Sequence, residues 1–107
     1  MSQTLLKVIA LVAQRKVHVS RHAYNELLND RIFLDEVIEG INAAIVIEDY
    51  PSYPKGPCVL VLQHDKTRLP LHILWGIPAG KTEPAAIITA YRPDPAKWDA
   101  AFLRRKP

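Results

Sequence analysis

The run Cys58-Val-Leu-Val-Leu-Gln-His64, the turn Asp65-Lys66-Thr67 and the run Leu69-Pro-Leu-His-Ile-Leu-Trp-Gly-Ile77 decide how this chain folds. Two short apolar segments separated by a polar turn read as neighbouring strands of a hairpin. Within the second segment Leu69, Leu71, Ile73 and Trp75 alternate onto one face. That parity sends His72 to the other face, with Arg68 and Leu74. Pro70 cannot donate to a ladder, so it marks the start of the strand or an edge position.

Working outward, the β-branched run Ala44-Ile45-Val46-Ile47 predicts a strand ending at Tyr50. Pro51 to Pro57, with three prolines and a glycine, predicts a stiff loop. Pro78 to Pro84 is a turn, and Ala85 to Arg92 is the fourth strand. Upstream, Leu5, Ile9, Val12 and Ala13 repeat at helical spacing over residues 3–15. His18-Val19 reads as a short link, and Ser20 is a good N-cap for a second helix running to Asp30. A third helix covers Leu34 to Ile41. Downstream, Asp94-Pro95 has the form of an N-cap followed by a first helical residue, with Trp98 and Phe102 on the inner side. The expected architecture is α+β: N-terminal helices packed on one face of a four-stranded antiparallel sheet, with a short C-terminal helix. At 107 residues the chain is expected to be one domain, 1–107.

Composition bounds the function classes. The chain is 49% hydrophobic and 23% charged, with a net charge of +3. Seven acids (Glu26, Asp30, Asp35, Glu36, Glu39, Glu48, Asp49) lie between residues 26 and 49 against one base, Arg31. The C-terminal part is basic, through Arg68, Lys81, Arg92, Lys97, Arg104, Arg105 and Lys106. Such polarity suits a polyanion on one side and a cationic partner on the other, or a solvated surface of mixed charge. The single cysteine, Cys58, excludes an internal disulfide and a thiolate zinc cluster. The apolar run Leu5 to Ala13 is too short to span a bilayer and has no signal-peptide pattern around it, so no membrane association and a cytoplasmic location are expected. No glycine loop for phosphates, nucleophile elbow or dinucleotide fingerprint is present.

The residues able to carry chemistry are few. His72 breaks an apolar strand, and the fourth strand ends Thr89-Ala90-Tyr91-Arg92. An imidazole can move protons near neutral pH, while a phenol and a guanidinium can stabilise a phosphorane. The same residues can equally be structural members of a small sheet. His22 sits in the first turn of its helix, where exposed N–H groups disfavour imidazolium and attract anions. His18 and His22 have helical metal-pair spacing, but the Ser20 cap separates them and no third ligand follows, so neither a metal nor another cofactor is expected.

Taken together, Ser20-x-His22-Ala23, the Asp35-Glu36-Val37 helix, Arg68-x-Pro70-Leu71-His72-Ile73, Ile87-Ile88-Thr89-Ala90-Tyr91-Arg92-Pro93 and Trp98 resemble the bacterial family of domain of unknown function 4258. The similarity covers about residues 17–100. It implies a fold similar to RelE, barnase and EndoU-type ribonucleases, and a toxin paired with a small antitoxin. His22 and His72 match the two family histidines, with Thr89 and Tyr91 in the terminal strand motif. Where typical members carry arginines after the His-Ala pair, this chain has Glu26 and Asp30, which would repel RNA phosphates.

The leading expectation is a metal-independent endoribonuclease of toxin type. His22, His72 and Tyr91 are its candidate catalytic residues, and Arg68, Thr89 and Arg92 its candidate substrate-binding residues. Two alternatives stay open. One is a non-catalytic interaction module, monomeric or dimeric. The other is a small-molecule binder with its pocket between the second helix and the sheet.

Overall fold

In the computed structural model, which describes residues 2–107, the first two helices each start at a serine cap. Ser2 Oγ accepts from the Leu5 amide to open α1, Gln3–Ala13. Ser20 Oγ accepts from the Ala23 amide and opens α2, Arg21–Asn29. Helix α3, Leu34–Gly40, continues into a 3-10 turn at Ile41–Ala43. The buried face of α1 is Leu5, Val8, Leu11 and Val12, one step round the helix from the expected stripe, and Ala13 is exposed.

The expected four-stranded antiparallel sheet is corrected to a mixed sheet of five strands. Its members are β1 (Val17–Val19), β2 (Ile45–Tyr50), β3 (Cys58–His64), β4 (Pro70–Gly76) and β5 (Ala85–Tyr91), in the order β1-β5-β4-β3-β2. The α+β class holds, and β2 to β5 form the expected antiparallel meander. The added strand is the segment read as a link. Val17, His18 and Val19 pair in parallel with Ala85, Ala86 and Ile87. Three residues are too few for a period-two signal, and their partner lies at the far end of the chain.

The C-terminal helix does not form. Asp94 accepts from the Ala96 amide and makes a single turn. Asp99 Oδ1 then accepts from the Leu103 and Arg104 amides, at 3.0 and 3.4 Å. An aspartate that captures the amides ahead of it offers the backbone an alternative to a helix. So short a helix has little cooperativity to compete with that. The result is a looped strap, closed by a Trp98–Arg105 bridge and turning at Phe102, which has φ +59°.

One face of the sheet is the core. Val59, Val61, Leu71, Ile73, Trp75 and Ile87 pack against Val8, Leu27 and Val37 of the three helices. Buried Gln63 ties the layers together, donating to the Val37 carbonyl (2.8 Å) and accepting from the Trp75 indole (2.9 Å). The opposite face carries Leu60, Leu62, His72 and Thr89, and the strap lies across part of it.

Candidate functional site

The site grows from the unequal lengths of β1 and β5. Strand β1 stops at Val19, whereas β5 runs on to Tyr91, leaving edge groups of β5 without a strand partner. The Ser20 amide donates to the Ile87 carbonyl (3.1 Å) and Ser20 Oγ donates to the Ile88 carbonyl (3.2 Å). Beyond them α2 lies against the strand. Glu26 Oε1 accepts from the Ala90 amide (3.1 Å), and Asp30 Oδ2 accepts from the Arg92 amide (2.9 Å). Glu26 and Asp30 therefore satisfy the edge of β5.

This fixes His22. Its Nε2 lies 3.1 Å from Glu26 Oε1, one helical turn on, and the side chain is 70% exposed. The imidazole is thus an accessible group beside a carboxylate that is itself anchored on Ala90.

Directly across β5 stands the second histidine. His72 and Tyr91 are cross-strand partners, as strand parity allows. His72 Nδ1 is 3.1 Å from Tyr91 Oη, and His72 Nε2 is 2.8 Å from the Phe102 carbonyl. A carbonyl can only accept, so Nε2 carries the proton and Nδ1 accepts from the phenol. Trp98 closes over the imidazole edge-on, with ring centroids 4.4 Å apart. His72 is 0% exposed. Burial lowers its pKa below the ordinary imidazole value; the Phe102 carbonyl opposes the shift and the Arg105 charge adds to it. Burial raises the Tyr91 pKa; Arg105 lowers it, and Glu48 and Glu26 raise it further. At neutral pH the pair is a neutral imidazole facing a protonated phenol.

The two histidines do not share one cleft. His22 belongs to a helix on the core side, and His72 points from the opposite face. What joins them is the end of β5, where Glu26 holds Ala90 and lies close enough to Tyr91 for its charge to act on the phenol.

The candidate arginines divide. All three guanidinium nitrogens of Arg92 are engaged: Nε with the Asp30 carbonyl (3.0 Å), Nη1 with Asp65 Oδ2 (3.0 Å) and Nη2 with the Arg31 carbonyl (3.2 Å). Arg92 thus staples α2 to the β3–β4 turn. Arg68 stands in that turn, exposed and at φ +66°. Thr89, opposite Leu74, shares the face of His72 and Tyr91. Asp65 is the hub of the turn. Burial alone would raise its pKa, but bonds from the Thr67 hydroxyl, the Leu69 amide, Arg92 and the Thr67 amide bring it to about 2, below the ordinary 3.8. A depressed carboxylate stabilises the fold above its unfolded pKa, and that stability is lost as pH falls through the folded one. We expect an acid limb in urea stability between about pH 4 and pH 2, flattened in Asp65→Asn. An unchanged limb in the variant would remove Asp65 from that role.

The sequence model of the family described as Domain of unknown function (DUF4258) matches residues 19–92. The chain belongs to that family. No curated protein and no solved structure matches it. The matched stretch of this DUF4258 chain includes His22, His72 and Tyr91, while α1 and the strap lie outside it.

The DUF4258 site also has members that sequence reasoning missed. Arg105, read only as one of the basic residues of the C-terminal part, is ion-paired to Glu48 and stacks on Trp98 with its guanidinium carbon 4.9 Å from the ring centroid. It is the cation whose charge acts on both His72 and Tyr91. The available signals were Glu48, a charge within an apolar strand, and the basic residues following Trp98. The small-molecule alternative places its pocket between α2 and the sheet. A cavity of about 470 Å³ lies elsewhere, between the β2–β3 loop and the outer sheet face, over Cys58, Leu74 and Ile88.

Proposed function

We propose that this chain is a toxin-type endoribonuclease working without a metal, with its accessible centre at the end of β5. The observation that supports this reading is the line His22–Glu26, Ala90–Tyr91, His72, which crosses the strand from an exposed imidazole to an enclosed one. In this reading Glu26 orients His22, which takes the proton from an RNA 2′-hydroxyl as that oxygen attacks the adjacent phosphorus. The Tyr91 phenol, which donates to His72 Nδ1 in the resting site, would turn its one O–H from that nitrogen towards the charge that develops on the phosphorane. His22⁺ then returns its proton to the departing 5′-oxygen, leaving a cyclic phosphate and a free hydroxyl. Following the family resemblance, the toxin would have a small antitoxin as its protein partner.

A second reading has its own observation. The enclosure of His72, with both ring nitrogens bonded, and the full engagement of Arg92 also suit a non-catalytic interaction module. One experiment separates the two. Purified protein is incubated with total RNA in excess chelator, comparing wild type, His22→Asn and Tyr91→Phe. Both variants leave buried apolar packing intact. The nuclease reading expects cleavage that drops about 10²–10⁴-fold in His22→Asn, the range for loss of an acid–base group. No cleavage by the wild type would leave the interaction module, and equal cleavage by His22→Asn would remove His22 from the mechanism.

A further inference from the structure

Helices α2 and α3 leave an apolar surface uncovered. Tyr24, Leu28, Phe33 and Leu34 are between 39% and 66% exposed, four of the ten large hydrophobic residues exposed among the described residues. Scattered exposed hydrophobics are ordinary, but four within eleven residues of one helical hairpin are not. Tyr24 and Leu28 are one turn apart and therefore neighbours on α2. Helical spacing puts them on the flank away from His22 and Glu26, so this surface is distinct from the end of β5.

Its charge narrows the occupant. From Arg21 to Gly40 the hairpin carries five carboxylates (Glu26, Asp30, Asp35, Glu36, Glu39) and two cations, Arg21 and Arg31, in a protein whose net charge is +3. Asp35 and Glu39 are exposed on α3, next to Leu34. None of these acids forms an ion pair with a lysine or arginine among the described residues. Glu26, Asp30 and Glu36 accept from backbone amides, which leaves their charges in place. An RNA or an acidic membrane surface would be repelled here.

We propose that the α2–α3 surface docks a basic amphipathic helix from a protein partner. Apolar side chains of that helix would seat on Leu28 and Phe33, and its lysines or arginines would face Asp35 and Glu39. This is recognition of an amphipathic helix by an apolar surface with an acidic rim. It stands whether or not the chain cuts RNA.

The probes are two synthetic amphipathic helices of roughly 18 residues, about five turns. They share one leucine face; one has a lysine polar face and the other a glutamate polar face. Each is titrated into the full chain, and backbone amide shifts are mapped by NMR. The lysine peptide should bind and move the amides of residues 24–34. Its affinity should fall with salt and weaken about tenfold or more, on the order of 1.4 kcal/mol, in Leu28→Ser/Phe33→Ser. Both substitutions are at exposed positions, and an unchanged amide spectrum elsewhere confirms folding. Equal binding of both peptides, shifts confined to another surface, or no binding would overturn the proposal. So would a concentration-dependent dimer that the double variant dissolves, because a second copy would then be the occupant.

Discussion

Exchanging Gln63 for leucine should cost the protein roughly 2–6 kcal/mol, although the new side chain is apolar and of similar size. The buried amide joins a helix to the sheet by two bonds of opposite sense, to the Val37 carbonyl and from the Trp75 indole. Neither partner is placed to find a substitute. At the end of α3 the Ile41 amide goes to the Ile38 carbonyl and not to that of Val37, which accepts from Gln63. Trp75 is fully buried within the core. Leucine therefore leaves one donor and one acceptor dry and unpaired, at about 1–3 kcal/mol each. Gln63→Glu should not rescue the loss, because it keeps an acceptor for the indole but turns a second acceptor towards a carbonyl. The measurement is urea denaturation at neutral pH. A loss of less than about 0.5 kcal/mol, the scale of a neutral surface change, would show that the bridge does not hold the layers. The bridge also leaves little room at Gly40, where a Cβ would lie 3.2 Å from Gln63 Nε2.

Those long-range ties mark what could be read from the sequence and what could not. The β3–β4 hairpin was legible because its signal is local: alternation at 71, 73 and 75 and a turn at 65–67. Parity alone also placed His72 on the face away from Leu71, Ile73 and Trp75. Register could not be read, so its direct pairing with Tyr91 was not foreseen. The N-caps at Ser2 and Ser20 act within three residues, and the expected Ser20 cap forms as read. What failed was non-local. β1 exists because Ala85 to Ile87 offers it an edge, and nothing within Val17-His18-Val19 announces that. Glu26 and Asp30 read as surface acids, yet their partners are backbone amides sixty-odd residues away. The strap failed for a competing local reason, since Asp99 captures the amides that a helix would need. Arg92 looked like a phosphate clamp by residue type, and only three-dimensional placement shows its nitrogens already spent.

Trp98→Ala should produce the other large effect, about 3 kcal/mol, at the low end of the range for a buried aromatic truncated to alanine. The low end applies because the strap lies at the periphery and can relax. Trp98 is the strap's main apolar anchor, and its other holds are the Phe102 carbonyl on His72 and the Arg105–Glu48 ion pair. Loss of the indole should also wet His72, which gives a second readout. In the wild type, burial depresses the His72 pKa, so protonation opposes folding. Below the unfolded value of about 6.5 the unfolded chain takes up more protons, and stability declines as pH falls from there towards the folded pKa. In Trp98→Ala the ring's titration, followed by NMR, should move up towards 6.5, and that contribution to the acid decline should shrink. A titration identical to that of the wild type would mean that the sheet, and not the strap, keeps the imidazole dry. The same variant bears on chemistry. If Tyr91 and His72 take part in cleavage, uncovering them should change the rate per folded molecule. If His72 serves only to anchor the strap, stability and titration should change while activity on RNA does not.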